Sequence, residues 1–196
     1  MEAARRDVVV VTVRMPGSLY DVFGEHQTRR ELVIVAAFGI GVTAVLLTAG
    51  RQALSEVAVW RAVLAALLIL DVVAGSVANL TRGTSRYYAL RSRKRLVFIA
   101  VHVHLLAIAW LLAGPLGPAA LVWAYSILSA LLVNRLQRSP LQAMVGGVAL
   151  ALGVLVVIAL TPDLGLLMAS VAALFMVKVT YAFAVDHYRD AGQEVR

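Results

Sequence analysis

Residues 57–80 read VAVWRAVLAALLILDVVAGSVANL, an apolar run broken by only two charged residues, Arg61 and Asp71. A run of this length crosses a hydrocarbon core about 30 Å thick as a helix. Backbone amides find no water there, so helix is nearly the only conformation that satisfies them. Similar stretches occur at 32–50, 96–113, 118–134, 141–160 and 164–185. The chain is therefore expected to be all-α, a polytopic bundle of six transmembrane helices, numbered here as spans 1 to 6. Composition agrees: 61% of residues are hydrophobic and 15% charged, against roughly 45–50% and 25% in soluble domains.

The ends of the runs carry helix-start signals. Ser139-Pro140 and Thr161-Pro162 each place a capping residue before a proline, which suits the first turn of a helix. Gly117-Pro118 and Ser55-Glu56 mark two further starts. Basic residues then set the orientation. Arg5, Arg6, Arg14, Arg29 and Arg30 precede span 1, and Arg82, Arg86, Arg91, Arg93, Lys94 and Arg95 lie between spans 2 and 3. Arg135 and Arg138 follow span 4, and Arg189 and Arg196 follow span 6, making fifteen on one side against Arg51 alone on the other. By the positive-inside rule both termini are expected in the cytoplasm. Sixteen arginines against two lysines, with abundant Ala, Leu, Val and Gly, suggest a bacterial protein, hence the inner membrane.

Residues 1–30 read as a cytoplasmic arm, 31–187 as the membrane domain and 188–196 as a tail. In the arm, Val8–Val13 is too short for a secretory h-region. Pro16-Gly17 followed by Ser18 opens a short helix, in which Leu19, Val22, Phe23 and His26 share one face. That pattern predicts an amphipathic helix lying on the membrane surface. No internal repeat is evident, because span 5 has no counterpart to Asp71. The absence of cysteine excludes disulfides and thiolate chemistry.

Charged residues at a helix centre cost about 2.5–3.5 kcal/mol each on insertion scales and usually face the bundle interior. Arg61 lies near the outer end of span 2 and can snorkel to headgroups. Lys178 and Asp71 cannot do so easily. Each lies eight residues inside a polar boundary residue, Asp186 and Asn79, or about 12 Å deep. The lysine stem also leans toward the bilayer centre, since side chains tilt toward the helix N-terminus. His102 and His104 enter span 3 to a similar depth, but about 200° apart on a regular helix, so only one should face inward. His104 is the favoured one. Asp71 and Lys178 would form a charged pair with a histidine as proton relay. Asn79, Tyr125, Ser126, Ser129 and Tyr181 are candidate supporting polar groups, so the site would draw on spans 2, 3, 4 and 6. Trp60, Trp110 and Trp123 read as an aromatic belt. In span 5, Gly147/Ala151 and Ala149/Gly153 have small-residue spacing that serves a neighbouring helix or a homo-oligomer.

Other readings carry less. Asn79-Leu80-Thr81 matches a glycosylation acceptor but falls at the cytoplasmic face. The segment from Asp71 through Gly75 and Ala78 to Asn79 faintly resembles the start of the CDP-alcohol phosphotransferase motif of six-span membrane enzymes. That motif's second aspartate is Ala74 here, its arginine is Asn79, and its later aspartate pair is missing after Gly83. Metal binding needs those carboxylates, so the family is not assigned. His26, Asp186 and His187, with Asp21 or Glu25, have no diagnostic metal spacing. The basic loop residues Arg82, Arg86, Arg91, Arg93, Lys94 and Arg95 are expected at anionic lipid headgroups rather than nucleic acid. No cofactor, metal or catalytic residue is expected. Transport of a proton, ion or small solute is the leading expectation. A lipid-directed membrane enzyme and a non-catalytic membrane subunit are the alternatives.

Overall fold

The computed structural model describes residues 12–188; the expectations placed on Arg5, Arg6, Val8–Val11, Arg189 and Arg196 lie outside them. Among the described residues six helices are long and apolar enough to cross a membrane: Arg29–Ala49, Val59–Ala78, Arg93–Leu111, Leu116–Arg135, Gln142–Ala159 and Thr161–Phe183. The fold is an all-α six-helix bundle, and the protein is a multi-pass membrane protein. Span 6 runs through the middle of the bundle, packed against spans 2, 4 and 5, whereas span 1 leans mainly on span 2. Close approach of spans 1 and 2 depends on Gly39, where a Cβ would stand 2.9 Å from that of Ala74. On span 5, Gly153 faces Met176 and Tyr125 while Gly147 meets nothing within 4 Å. The small residue at 153 therefore serves packing within the chain.

Before span 1 the chain forms β1 (Thr12–Arg14), a 3-10 turn (Gly17–Leu19), α1 (Tyr20–Phe23) and β2 (His26–Thr28). The two strands pair antiparallel. The predicted surface helix is thus shorter than expected: Gly24 (φ +70°) ends it, and His26 belongs to a strand instead of the helix face. Span 1, α2 (Arg29–Ala49), begins three residues earlier than the apolar run. Thr28 and Glu31 form a reciprocal capping box, which satisfies two backbone donors at the N-terminus.

A short helix α3 (Arg51–Ser55) leads to span 2, α4 (Val59–Ala78), and the basic loop contains its own helix α5 (Arg82–Ala89). Span 3 is broken into α6 (Ser92–Val101) and α7 (His104–Leu111). Span 4 is α8 (Leu116–Arg135) and span 5 is α9 (Gln142–Ala159). Span 6 is α10 (Thr161–Met176) continued by a π-helical segment, Val177–Phe183. The expected caps differ in detail. The Thr161 hydroxyl bonds back to Val157 O, and the Ser55 hydroxyl closes α3 on Gln52 O.

The end of the bundle carrying α5 and the loop after span 4 is called the basic face below. One of its basic residues is not at the surface. Arg95 is 1% exposed. It donates to Asn134 Oδ1 (3.0 Å), Ala184 O (2.7 Å) and Phe183 O (3.4 Å). Its guanidinium therefore meets the carbonyl-rich C-terminal end of span 6, where a cation is favoured. Gln142 joins the same knot, donating to Ala184 O and accepting from Asp186 N–H. Arg95 must be removed from the candidate headgroup residues, because burial among spans 3, 4 and 6 uses its donors internally. Near the other face Arg61 donates to Trp110 O and lies over the Trp110 ring, so it caps the end of span 3 away from the basic face.

Candidate functional site

The two halves of span 3 have different neighbours. The half away from the basic face, α7, packs on spans 2 and 4, whereas the half nearer it, α6, packs on α5 and span 4. This divergence leaves a groove of about 460 Å³ beside span 2. Asp71, Lys178, His102 and His104 lie at its inner end, and Asn79 and Gly75 line the span 2 side. Asp21 and Val22 of the arm, with Arg93 and Lys94, frame it at the basic face. Beyond Asp71, toward the opposite face, Ile69, Leu105 and Ile108 are fully buried, so the groove ends there.

At its floor Lys178 Nζ lies 2.6 Å from Asp71 Oδ2 and 3.2 Å from the Asp71 carbonyl oxygen. The two side chains are not equally covered: that of Lys178 is 4% exposed and that of Asp71 44%. The lysine stem lies over Gly75, where any Cβ would collide with it. Asn79 donates to the Lys178 carbonyl at 3.5 Å, tying spans 2 and 6 one turn nearer the basic face. His104 Nε2 is 3.5 Å from Asp71 Oδ2.

Both histidines line the groove, contrary to the expectation that only one could. The 200° separation assumed an unbroken helix, and the chain turns at His102–Val103 instead. Their rings are 5.0 Å apart. The His102 ring nitrogen Nδ1 contacts Phe98 O, and the ring packs on Phe98, which stacks on Phe183. A broken helix inside a bilayer must find other partners for its backbone. Here Trp123 Nε1 donates to His102 O at 2.9 Å, so Trp123 supports the break and is not merely part of a belt.

Span 4 otherwise stays outside the groove. Ser126 bonds its own helix at Val122 O and accepts from Thr180 through its carbonyl. The Tyr125 hydroxyl donates to Ala149 O on span 5, and Ser129 is buried away from the groove. Tyr181 lies near Gly146 of span 5 and against the His187 ring. A π-helical turn carries one more residue per hydrogen-bonded ring than an α-turn, so Tyr181 does not share the face of Lys178. The groove therefore draws on spans 2, 3 and 6 and the arm.

The arm was not anticipated at the site. Asp21 Oδ1 accepts from Lys94 Nζ (2.8 Å) and from the Tyr87 hydroxyl (3.0 Å). The Lys94 hydrogen bond holds the Asp21 carboxyl below its usual range. Tyr88 donates to Asp21 O, and burial pushes its phenol up. Arg91 pairs with Glu25 at 2.7 Å. Gly24 and Gly83 meet backbone to backbone, since a Cβ on Gly24 would fall on Gly83 O. The arm is thereby seated on α5 at the mouth of the groove. Arg82, Arg86 and Arg93 remain exposed at the basic face, with Arg82 lying over the Tyr188 ring.

His26 lies on β2, and His187 Nε2 contacts Tyr181 O. Among the described residues no group of three or more His, Asp or Glu is placed to hold a metal ion. Fold and site define a class, a multi-pass membrane protein with an ion pair at the closed end of a groove framed at the basic face. Comparison with protein families, curated proteins and solved structures gives no match for this chain.

Proposed function

We propose that the protein is a membrane carrier that couples movement of an ion or small solute to a proton, with Asp71 as the exchanging group. The reading rests on one observation: the Asp71–Lys178 pair, with His104 beside it, lies at the inner end of a groove framed at the basic face and closed toward the opposite one by buried Ile69, Leu105 and Ile108. Charges inside spans are expensive and mark ion pathways or proton relays. Irregular helices at membrane depth are tolerated where they line a cavity, and carriers place binding sites at such breaks. Span 3 breaks and span 6 becomes π-helical beside this pair. A site reached from one face and closed toward the other is what an alternating-access carrier presents in one of its states. The basic face is then cytoplasmic, in a bacterial inner membrane, with Arg82, Arg86, Arg91, Arg93 and Lys94 near anionic headgroups.

The test is proton flux into proteoliposomes under an imposed pH gradient, read by an internal pH dye. Asp71→Asn and Lys178→Met should abolish it and His104→Gln should slow it, with each variant monodisperse and helical. Equal flux in wild type and all three variants overturns the carrier reading.

One observation favours a second reading, an enzyme acting on lipid at the cytoplasmic leaflet. Val97 and Val101 line the groove and are 60% and 56% exposed, so the groove is open to acyl chains. Asp71 and a histidine would be its acid and base. Turnover of phospholipid by the purified protein, lost in Asp71→Asn, would establish it.

A further inference from the structure

The geometry points to an amphiphilic organic cation as the ligand of this groove, entering sideways from the leaflet at the basic face and exchanging with a proton on Asp71. This rests on the carrier reading and adds the substrate class. The first argument is which charge a ligand meets. Lys178 is almost wholly covered and donates to two oxygens of Asp71, whereas the Asp71 side chain is open to the groove. The dipole of the pair thus presents its negative end to the groove. An anion would have to pass the carboxylate and then displace it from the ammonium.

Charge balance gives the exchange. The pair Asp71⁻–Lys178⁺ is neutral, and a bound proton or a bound monocation each adds one positive charge to it. Both use the same carboxylate oxygens, so one leaves when the other arrives. The proton released from the Asp71 O–H passes to water or to His104 Nε2, 3.5 Å away, and the exchange is one for one and electroneutral.

The walls select an organic cation over an inorganic one. A small metal ion must replace its hydration shell with several oxygens. The floor offers one carboxylate, and Val97, Phe98 and Val101 make up the adjacent wall. Those apolar side chains suit the body of an amphiphile, and the groove volume is in the range of about 300–1,000 Å³ that a drug-sized ligand fills. The route follows from exposure and charge together. Arg93 stands at the aqueous mouth beside the paired Asp21 and Lys94, so the mouth keeps a net positive charge that repels a cation arriving from water. The side opening at Val97 and Val101 faces acyl chains, in a leaflet whose anionic lipids concentrate amphiphilic cations.

The probe is tetraphenylphosphonium, measured by equilibrium dialysis against the full chain in phosphatidylcholine nanodiscs. Wild type should bind it, with affinity falling by up to about tenfold per pH unit on the acid side as protons compete. Asp71→Asn should lose both binding and pH dependence, and Asp71→Glu should retain both. Val101→Trp narrows the side opening without touching the pair and should weaken binding by about tenfold or more. Decanoate should not compete. Binding that is equal in Asp71→Asn, or Lys178-dependent binding of decanoate, overturns the inference. Asp71-dependent proton flux with no tetraphenylphosphonium binding also overturns it and leaves the carrier reading standing. Asp71-dependent binding with no Asp71-dependent proton movement, even when tetraphenylphosphonium is supplied on the opposite side of the vesicle as the counter-cation, supports the ligand class and removes the carrier.

Discussion

Gly75 and Lys178 occupy one space: a Cβ at residue 75 would stand 2.5 Å from Lys178 Cε and 2.9 Å from Nζ. The absent side chain lets the lysine lie against span 2 and reach both the carboxylate and the carbonyl of Asp71. Gly75→Ala gains up to about 1 kcal/mol of helix propensity but overpacks a pinned, covered side chain, a change that costs about 1–3 kcal/mol. The net effect expected is destabilisation in thermal unfolding, together with weakened proton flux. A variant more stable than wild type with unchanged flux would show that the lysine has room to move.

Unequal coverage of the ion pair predicts unequal consequences for its two halves. Asp71→Asn leaves an ammonium that is 4% exposed without its counter-charge, a change that costs about 3–5 kcal/mol when a buried pair is broken. Lys178→Met leaves a carboxylate that is open to the groove and can be hydrated there. Asp71→Asn should therefore lower the unfolding temperature more than Lys178→Met. Adding Lys178→Met to Asp71→Asn should restore part of the loss, as a double-mutant cycle in detergent would read. The opposite ranking would mean that the carboxylate, not the ammonium, is the enclosed partner.

Trp123 reaches across from span 4 to the carbonyl that the break in span 3 frees. Replacing it with Phe keeps most of the packing and removes the donor, leaving that carbonyl unpaired in a site without bulk water. Such a loss costs about 1–3 kcal/mol. Trp123→Phe should raise amide hydrogen exchange over residues 102–107 and leave spans 1 and 5 unchanged. Equal protection in both proteins would mean that the break does not depend on this bond.

The length of each apolar run made the number of spans legible. The meeting of Asp71 with Lys178 was foreshadowed by their equal eight-residue spacing from Asn79 and Asp186. The break at His102–Val103 was not legible, because neither proline nor glycine marks it and its support comes from Trp123, twenty-one residues away. Assuming a regular helix there separated two histidines that in fact line one groove. Arg95 looked like the last member of a surface basic run; its partners Asn134, Phe183 and Ala184 belong to other helices and give no local signal. The Thr28–Glu31 box was present in the sequence, but Arg29 and Arg30 made the start of span 1 look like part of the arm. Asp21 gave no sign of reaching Tyr87 and Lys94, since that contact requires the arm to fold back on α5.

The seating of the arm should depend on pH through Asp21. The Lys94 hydrogen bond, with that from Tyr87, lowers the folded-state carboxyl below its ordinary 3.8. A depressed carboxyl contributes stability above its unfolded pKa and loses it as pH falls through the folded one. The contribution is therefore complete at neutral pH and disappears on acidification below about 3.8. Solvent screens this exposed group, so the effect should loosen the arm without unfolding the bundle. The chain has no cysteine, so labels at Val22→Cys and Leu90→Cys report the arm selectively. Their spin-label distance distribution should be narrow at pH 7 and broaden in acid, and Asp21→Asn should broaden it already at pH 7. The Glu25–Arg91 pair and the Gln27 bonds to Thr81 and Thr84 should keep a docked fraction in both cases. A distribution indifferent to pH and to Asp21→Asn would place the hold on the arm entirely in those other bonds.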